Sequence, residues 1–297
     1  METPHTFAGS PLDRGEVLRR DEASITAVLD QPGTRFLPFH KLRVATLDAK
    51  PIWLTRDELS DYAPEQVVYL GMQANEHRFA AAVAAPGSTE FSDCRLLASS
   101  LAIETAGIIA HGRSQLDWHQ RNPYCSQCGQ PTAAARGGQI RRCARCETHI
   151  FPRTDPVAIM LIVDQVGGDR CLLGQPSRRG LGAQFYTALA GFIDQAESIE
   201  EAVRREVLEE AGINVGAVNY HSSQPWPFPS QLMIGCHGVA VNRDITFDTA
   251  EMADVRWFHR DEVRAALAGD NPDLTVPGPI AIAHHLIKSW VEGEVSL

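Results

Sequence analysis

Glu206 and Glu210 stand four residues apart in "SIEEAVRREVLEEAGI", with Glu209 beside them, and that spacing can hold a cation. At 100° per residue, Ile199, Val203, Glu206 and Glu210 share one side of a helix, so an apolar stripe turns acidic partway along. A solvated acidic face would also read this way. On a packing face, however, unpaired carboxylates are costly, and stacked ones repel until a divalent cation relieves them. Hard oxygen ligands of this kind suit Mg2+ or Mn2+, ions that clamp a phosphate and activate water.

A second set is Cys125-x-x-Cys128, fourteen residues, then Cys143-x-x-Cys146. Two such knuckles predict one tetrahedral Zn2+ per chain held by four thiolates. Gly129 supplies permissive backbone after the first pair. A closed four-thiolate site has no open position, so it is structural and not the seat of catalysis. Arg136, Arg141, Arg142 and Arg145 leave nucleic-acid contact as an alternative use of the ribbon. Cys94, Cys171 and Cys236 are scattered and read as small buried hydrophobes.

A third set is the strap "SSQPWPFPSQLM" (222–233), where Pro225, Pro227 and Pro229 alternate with Trp226 and Phe228. Proline fixes φ and removes a donor, so the segment must run extended on a sheet edge or as a stiff loop. Its aromatics either cap a core or present stacking faces to a flat ligand such as a base, each stack worth about 1–3 kcal/mol.

Several elements must position these groups. Ser198 with Glu201 three residues on is a capping box that opens the carboxylate helix, and Gly212 stops it. Arg205 is placed to tie that helix to the loop carrying Glu197. "DPVAIMLIVDQ" is a buried-type strand with "DRCLLGQPS" as hairpin partner after Gly167-Gly168. "MIGCHGVAVN" and "DVRWFHR" supply further strands, and two terminal helices start near Asp261 and Pro279. Upstream, short apolar runs from Thr34 to about Ala84 read as strands, and one helix is expected from Arg95 to Gln120. The first twenty residues are polar and expected to be loose.

Composition is that of a soluble globular chain: 297 residues, 44% hydrophobic and 22% charged. A net charge of -10 argues against a protein built to coat nucleic acid. The longest strongly apolar run, Val157 to Val163, is too short to span a bilayer, and no signal peptide opens the chain, so the cytosol is expected.

Gly191, five residues, Glu197, seven residues, then Arg205-Glu206-Val207-Leu208-Glu209-Glu210-Ala211-Gly212-Ile213 matches every fixed position of the Nudix box. With the zinc ribbon before it and "SQPWPFP" after it, the chain resembles the NADH pyrophosphatase branch of the Nudix hydrolases, also known for removing NAD caps from RNA. The resemblance covers roughly residues 95 to 297. It implies a Nudix α-β-α sandwich with a mixed sheet (151–297), a ribbon (122–150) and a smaller α+β N-terminal domain (1–121). It also implies a homodimer acting on NAD(H) or NAD-capped RNA.

By the same resemblance, the Ala190 carbonyl, Glu206, Glu210 and Glu251 would bind two or three Mg2+ or Mn2+ ions. Glu209 or Glu210 would orient or deprotonate water. Arg95, Phe151, Ala283 and the strap from Gln224 through Pro225, Trp226, Pro227, Phe228, Pro229 and Ser230 to Gln231 would touch substrate. Phe192 is a further stacking candidate, though as a strand-end Phe it reads equally as core. Three departures bear on specificity: Gln231 replaces a usual Ser, Phe151 a Tyr, and Gly138 a Glu used by some relatives. Rival readings are a Nudix hydrolase of ADP-ribose or another linked nucleotide, and a silent zinc-ribbon protein binding nucleotide or nucleic acid. Degenerate members should lose a box carboxylate, and this chain keeps them all.

Overall fold

The apolar runs after Thr34 become strands because alternate side chains find a buried face on either side of one sheet. In the computed structural model, which describes residues 5–84, 87–177, 182 and 184–294, the chain divides into two units. One is Met1–Thr154 with Pro225–Ser230, the other Asp155–Gln224 with Gln231–Leu297.

The first unit holds α1 (Glu22–Leu29), β1 (Arg35–His40), β2 (Arg43–Leu47), β3 (Lys50–Pro51), α2 (Arg56–Ser60), β4 (Pro64–Gln73), β5 (Glu76–Val83), β6 (Glu90–Ser92), α3 (Cys94–Ala98) and α4 (Ile103–Arg121). Its mixed sheet runs β3-β2-β1-β5-β4, with β6 paired to β2. Phe36, Tyr69 and Phe79 face Ile25 and Val28 of α1 and Leu59 of α2. Leu37, Phe39, Val68 and Leu70 face Leu97 of α3 and Ile109 and Leu116 of α4. Period-two alternation thus fills a core on each side of the sheet. A small sheet of β7 (Thr132–Ala135), β8 (Ile140–Cys143) and β9 (His149–Ile150) carries the cysteine knuckles.

The second unit holds β10 (Asp155–Val163), β11 (Arg170–Pro176), β12 (Leu189–Phe192), α5 (Ile199–Ala211), β13 (Val215–Trp226), β14 (Gln231–Ala240), β15 (Met252–His259), α6 (Arg260–Ala268) and α7 (Ile282–Glu292). The sheet order is β13-β14-β10-β11-β15, with β12 paired to β10. It is mixed, since β10 runs parallel to β14 and antiparallel to β11 and β12. β10 is apolar throughout because both of its faces are covered. Ala158, Met160 and Ile162 pack under Val203 and Val207 of α5. Ile159, Leu161 and Val163 pack under Val263 of α6 and Leu286, Ile287 and Trp290 of α7. Helices on both faces of a mixed sheet make the expected α-β-α sandwich.

Three sequence expectations need correction. Within the first twenty residues, those described from His5 onward are not loose: Phe7 is 2% exposed, Leu12 is buried, and Asp13 exchanges backbone hydrogen bonds with Met72. The expected helix from Arg95 to Gln120 is two helices, interrupted between Ala98 and Ile103 where the hydroxyls of Ser99 and Ser100 bond back to the carbonyls of Leu96 and Leu97. "PIWLTR" yields only the two-residue β3 and an isolated pairing at Leu54 before Thr55 caps α2. The strap behaves as proline chemistry demands: Pro225 lies in edge strand β13, and 227–230 form the turn into β14.

Candidate active site and zinc centre

Local rules build the carboxylate helix. The Ser198 side chain receives the Glu201 amide and the Glu201 side chain receives the Ser198 amide, a complete capping box. Gly212 closes α5 in the left-handed conformation at φ 70°. Between these ends, Ala202, Val203, Val207 and Ala211 are buried against the sheet, and Glu206 and Glu210 lie at the margin of that face.

Arg205 organises the carboxylates. Its guanidinium donates twice to Glu197 at 2.8 Å, once to Glu206 at 2.8 Å, once to Glu209 at 3.1 Å and once to the Phe192 carbonyl at 2.9 Å. These bonds fix the loop after β12 to the helix and spend the fork geometry of the guanidinium on acceptors. Hydrogen bonding to Arg205 holds the Glu197 carboxyl down at about 2. Glu206 is pushed up, chiefly by burial, with Arg205 opposing.

Glu206 lies directly over Gly191, where an added Cβ would stand 1.9 Å from its carboxyl carbon. The glycine of the box is therefore a space requirement. Gly191→Ala should drive the Glu206 carboxylate off β12 and lower kcat as much as loss of that carboxylate, with an unchanged far-UV spectrum. Wild-type kcat in that variant would show that Glu206 needs no such seat.

Glu210 is more isolated. Burial pushes its carboxyl up to about 8, the charges of Glu206 and Glu251 add to the rise, and a backbone hydrogen bond from Ala190 opposes it. Its Oε2 is buried without a hydrogen-bond partner. A buried, unpartnered carboxylate oxygen near the charges of Glu206 and Glu251 is what a hard divalent cation relieves, so Glu210 offers a donor of the kind such an ion takes. Ala190, opposite Ile159 in β12, and Glu251, exposed just before β15, complete the set named from the sequence.

A pH dependence follows for protein kept free of Mg2+ and Mn2+. The folded-state value for Glu210, about 8, lies above its ordinary 4.5. The stability it contributes is therefore complete below pH 4.5 and is lost as pH rises toward 8. Tm should fall over that range more steeply in the wild type than in Glu210→Gln, and added Mg2+ should flatten the wild-type curve. Parallel curves for the two proteins would remove the buried-carboxylate account.

In the ribbon, Cys125, Cys128, Cys143 and Cys146 bring all four sulfurs within 4.8 Å of one another, the one such potential ligand group among the described residues. The carboxylates of α5 and Glu251 do not gather that tightly. The Cys125–Cys146 and Cys128–Cys143 sulfur separations are 3.6 and 3.5 Å. The edge of a tetrahedron of thiolates at about 2.3 Å from zinc is about 3.8 Å, so the cysteines fit that ion. Hydrogen bonds to Thr148 bring the Cys146 thiol down to about 6 and favour the thiolate. Of the ribbon arginines, Arg141 is buried and bonded to Thr132 and His119, leaving Arg136, Arg142 and Arg145 at the surface.

The other residues named from the sequence are dispersed. The Arg95 guanidinium lies 5.0 Å from the Trp226 ring centre, and the Arg113 guanidinium lies 4.6 Å from that of Phe228 and donates to the Pro227 carbonyl. Pro227 is buried, while Pro225, Trp226, Phe228, Pro229, Ser230 and Gln231 are half-buried. Phe228 packs against the first unit's core. Core capping and a partly open Trp226 therefore coexist in one strap. Phe151 and Phe192 are exposed at 47% and 54%. Gln224 is fully buried; its amide donates to the Ile280 carbonyl and accepts from the Ile282 amide, both at 2.8 Å. Ala283 is buried in α7. Phe7 and Arg113 gave no sequence signal, being single residues in a polar segment and in an ordinary helix.

The chain matches two family descriptions: "NUDIX domain" over residues 153–276 and "NADH pyrophosphatase zinc ribbon domain" over 120–151. It is 45% identical over 195 residues to the human NAD-capped RNA hydrolase NUDT12, covering 63% of this chain and 42% of that one, so it spans less than half of that relative's length. The human mitochondrial NAD(P)H pyrophosphatase NUDT13 is 38% identical over 214 residues, 68% of this chain and 59% of that one. The NAD-capped RNA hydrolase NudC of Mycobacterium bovis is 34% identical over 297 residues, 95% of this chain and 93% of that one. Near-complete reciprocal coverage and an intact box on α5 lead to one conclusion: the chain belongs to the Nudix hydrolase family.

Proposed function

We propose that the protein hydrolyses the diphosphate of NAD(H) to AMP and nicotinamide mononucleotide, and cleaves the same linkage where NAD caps an RNA 5′ end. The observation that carries this reading is α5 itself: all box carboxylates are kept, and Glu210 holds a buried oxygen with no protein partner. The relatives' names, two for NAD-capped RNA and one for NAD(P)H, support the substrate class.

In this reading Glu206, Glu210, Glu251 and the Ala190 carbonyl hold two or three divalent ions, Mg2+ or Mn2+. When bound, the ions stabilise charge on phosphoryl oxygens and lower the pKa of water. Glu209 or Glu210 orients the attacking water and accepts its proton. Arg205 fixes the carboxylates, while Arg95, Phe151 and the strap bind the nucleotide. The reading includes cytosolic residence and a homodimer. Among the described residues, no helix is long and apolar enough to cross a membrane.

The test is a substrate panel at matched Mg2+ and Mn2+: NADH, NAD-capped RNA and ADP-ribose. Trp226→Ala should lower kcat/KM for NADH by about 1–3 kcal/mol of lost stacking. A wild type that prefers ADP-ribose, with Trp226→Ala indifferent on every substrate, would replace this reading with the ADP-ribose one.

A further inference from the structure

The N-terminal residues end in a hook against the strap. Phe7 adopts φ 73°, unusual for a residue with a side chain, and is 2% exposed. Its ring meets Trp226 edge-on at 5.7 Å and 83°, and Phe228 at 5.5 Å and 73°; Trp226 and Phe228 meet at 5.5 Å and 70°. Three rings in mutual edge-to-face contact fix one another's planes more narrowly than apolar burial alone.

The segment carrying Phe7 is seated on bare backbone. At Gly107 in α4 an added Cβ would stand 2.6 Å from the Ala8 carbonyl oxygen and 2.8 Å from the Ser10 nitrogen. At Gly71 in β4 it would stand 2.4 Å from the Asp13 carbonyl oxygen. Asp13 and Met72 exchange hydrogen bonds of 2.9 and 2.8 Å, and Leu12 enters the core. Two glycines therefore leave room for the chain on either side of Leu12, and its seat sets the place of Phe7.

The strap needs this backing. Arg113 and Ser114 hold the carbonyls of Pro227 and Pro229. Trp226 has the Arg95 guanidinium and the edge contacts with Phe7 and Phe228, and remains half-exposed. Phe7 is the fully buried member of the triangle.

From this we infer that Phe7 is a positioning residue for nucleotide recognition: seated through Gly107 and Gly71, it sets the plane of Trp226 and so the affinity for the base-bearing part of the substrate. The inference rests on the proposed reading of the strap as a base-binding element. It assigns a role in specificity to the N-terminal residues, which carry no box or ribbon motif.

The test compares Phe7→Ala, Phe7→Leu, Trp226→Ala and the Phe7→Ala/Trp226→Ala double variant. Substrates are NADH and dimethyl diphosphate, a diphosphate diester without a base. Zinc content, far-UV spectrum and Tm establish that each protein is folded, and Phe7→Leu keeps most of the buried volume should Phe7→Ala unfold. Phe7→Ala should raise KM for NADH about tenfold with kcat within twofold, Phe7→Leu should lie between it and wild type, and base-free hydrolysis should be unchanged. The double variant should match Trp226→Ala, because Phe7 acts through that ring.

A raised KM in Trp226→Ala with wild-type KM in both folded Phe7 variants would overturn the role of Phe7 alone. So would additive losses in the double variant. An unchanged KM in Trp226→Ala would overturn the base-binding strap, and the role of Phe7 with it. Equal losses on both substrates would also overturn it, since Phe7 would then serve general integrity.

Discussion

Glu210→Gln should lower kcat for NADH by about 10³-fold or more, with Glu206→Gln close behind. A bound metal supplies several kcal/mol of charge stabilisation in the transition state, and each 1.36 kcal/mol is a factor of ten in rate. Glu210 holds the buried oxygen that lacks a protein partner, and Glu206 stands over Gly191 with Arg205 on one oxygen. Glutamine keeps the shape of either side chain and removes the negative charge. The fold should survive, because Val203, Val207 and Ala211 hold α5 to the sheet. In Glu210→Gln the Tm in metal-free buffer at neutral pH should rise, since the wild-type carboxyl must take up a proton to be buried there and the amide need not. Lost turnover with raised metal-free stability is a combination that a solvated acidic face could not give. Near-normal turnover at saturating Mg2+ would return α5 to that plainer role.

The second large effect concerns the ribbon. Purified protein should contain about one zinc per chain, retained through Mg2+ exchange and released by strong chelators or thiol modification. Cys143→Ser should lose it. Structural zinc contributes about 10–16 kcal/mol in isolated fingers, while whole domains are stable by about 5–15 kcal/mol. The three short strands β7, β8 and β9 should therefore lose their order in the variant. Cys143 is fully buried and Cys125 nearly so, which leaves no cheap way to solvate the vacated thiols. Activity per folded molecule should fall far less than stability, because the four sulfurs leave no open coordination position. A zinc-free wild type with the same melting curve would refute the structural role.

The chemistry was more legible in the sequence than the frame. Ser198, Glu201 and Gly212 bounded α5 correctly because caps act through neighbours three residues away. The cysteine spacing was equally local. The Arg205–Glu197 bond could be expected from the box, while the share of Arg205 taken by Glu206, Glu209 and the Phe192 carbonyl depends on how β12 meets the helix. The break after Ala98 was hidden because Ser99, Ser100 and Leu101 do not disturb an apolar period. Phe7 and Leu12 were hidden for another reason: isolated hydrophobes in a polar stretch have no periodicity, and their burial depends on Gly71, Gly107 and Phe228 far along the chain.

Gly138 is fixed by packing. Its φ is +85°, an added Cβ would lie 2.6 Å from Val68 Cγ1, and its carbonyl accepts from Gln115 and His119. Any side chain there requires moving Val68 and β4.

The ring triangle also bears on how the protein is made. Phe7 leaves the ribosome early and Phe228 late, and the two rings meet within the first unit. At about 5–20 residues per second, the interval between them is roughly 10–45 s. Throughout it, Phe7 lacks the two rings it meets in the folded chain. Release of a chain stalled before Pro225 would leave Phe7 without those partners and open to aggregation or chaperone capture. The first unit therefore completes its strap contacts only after most of the second unit has been synthesised.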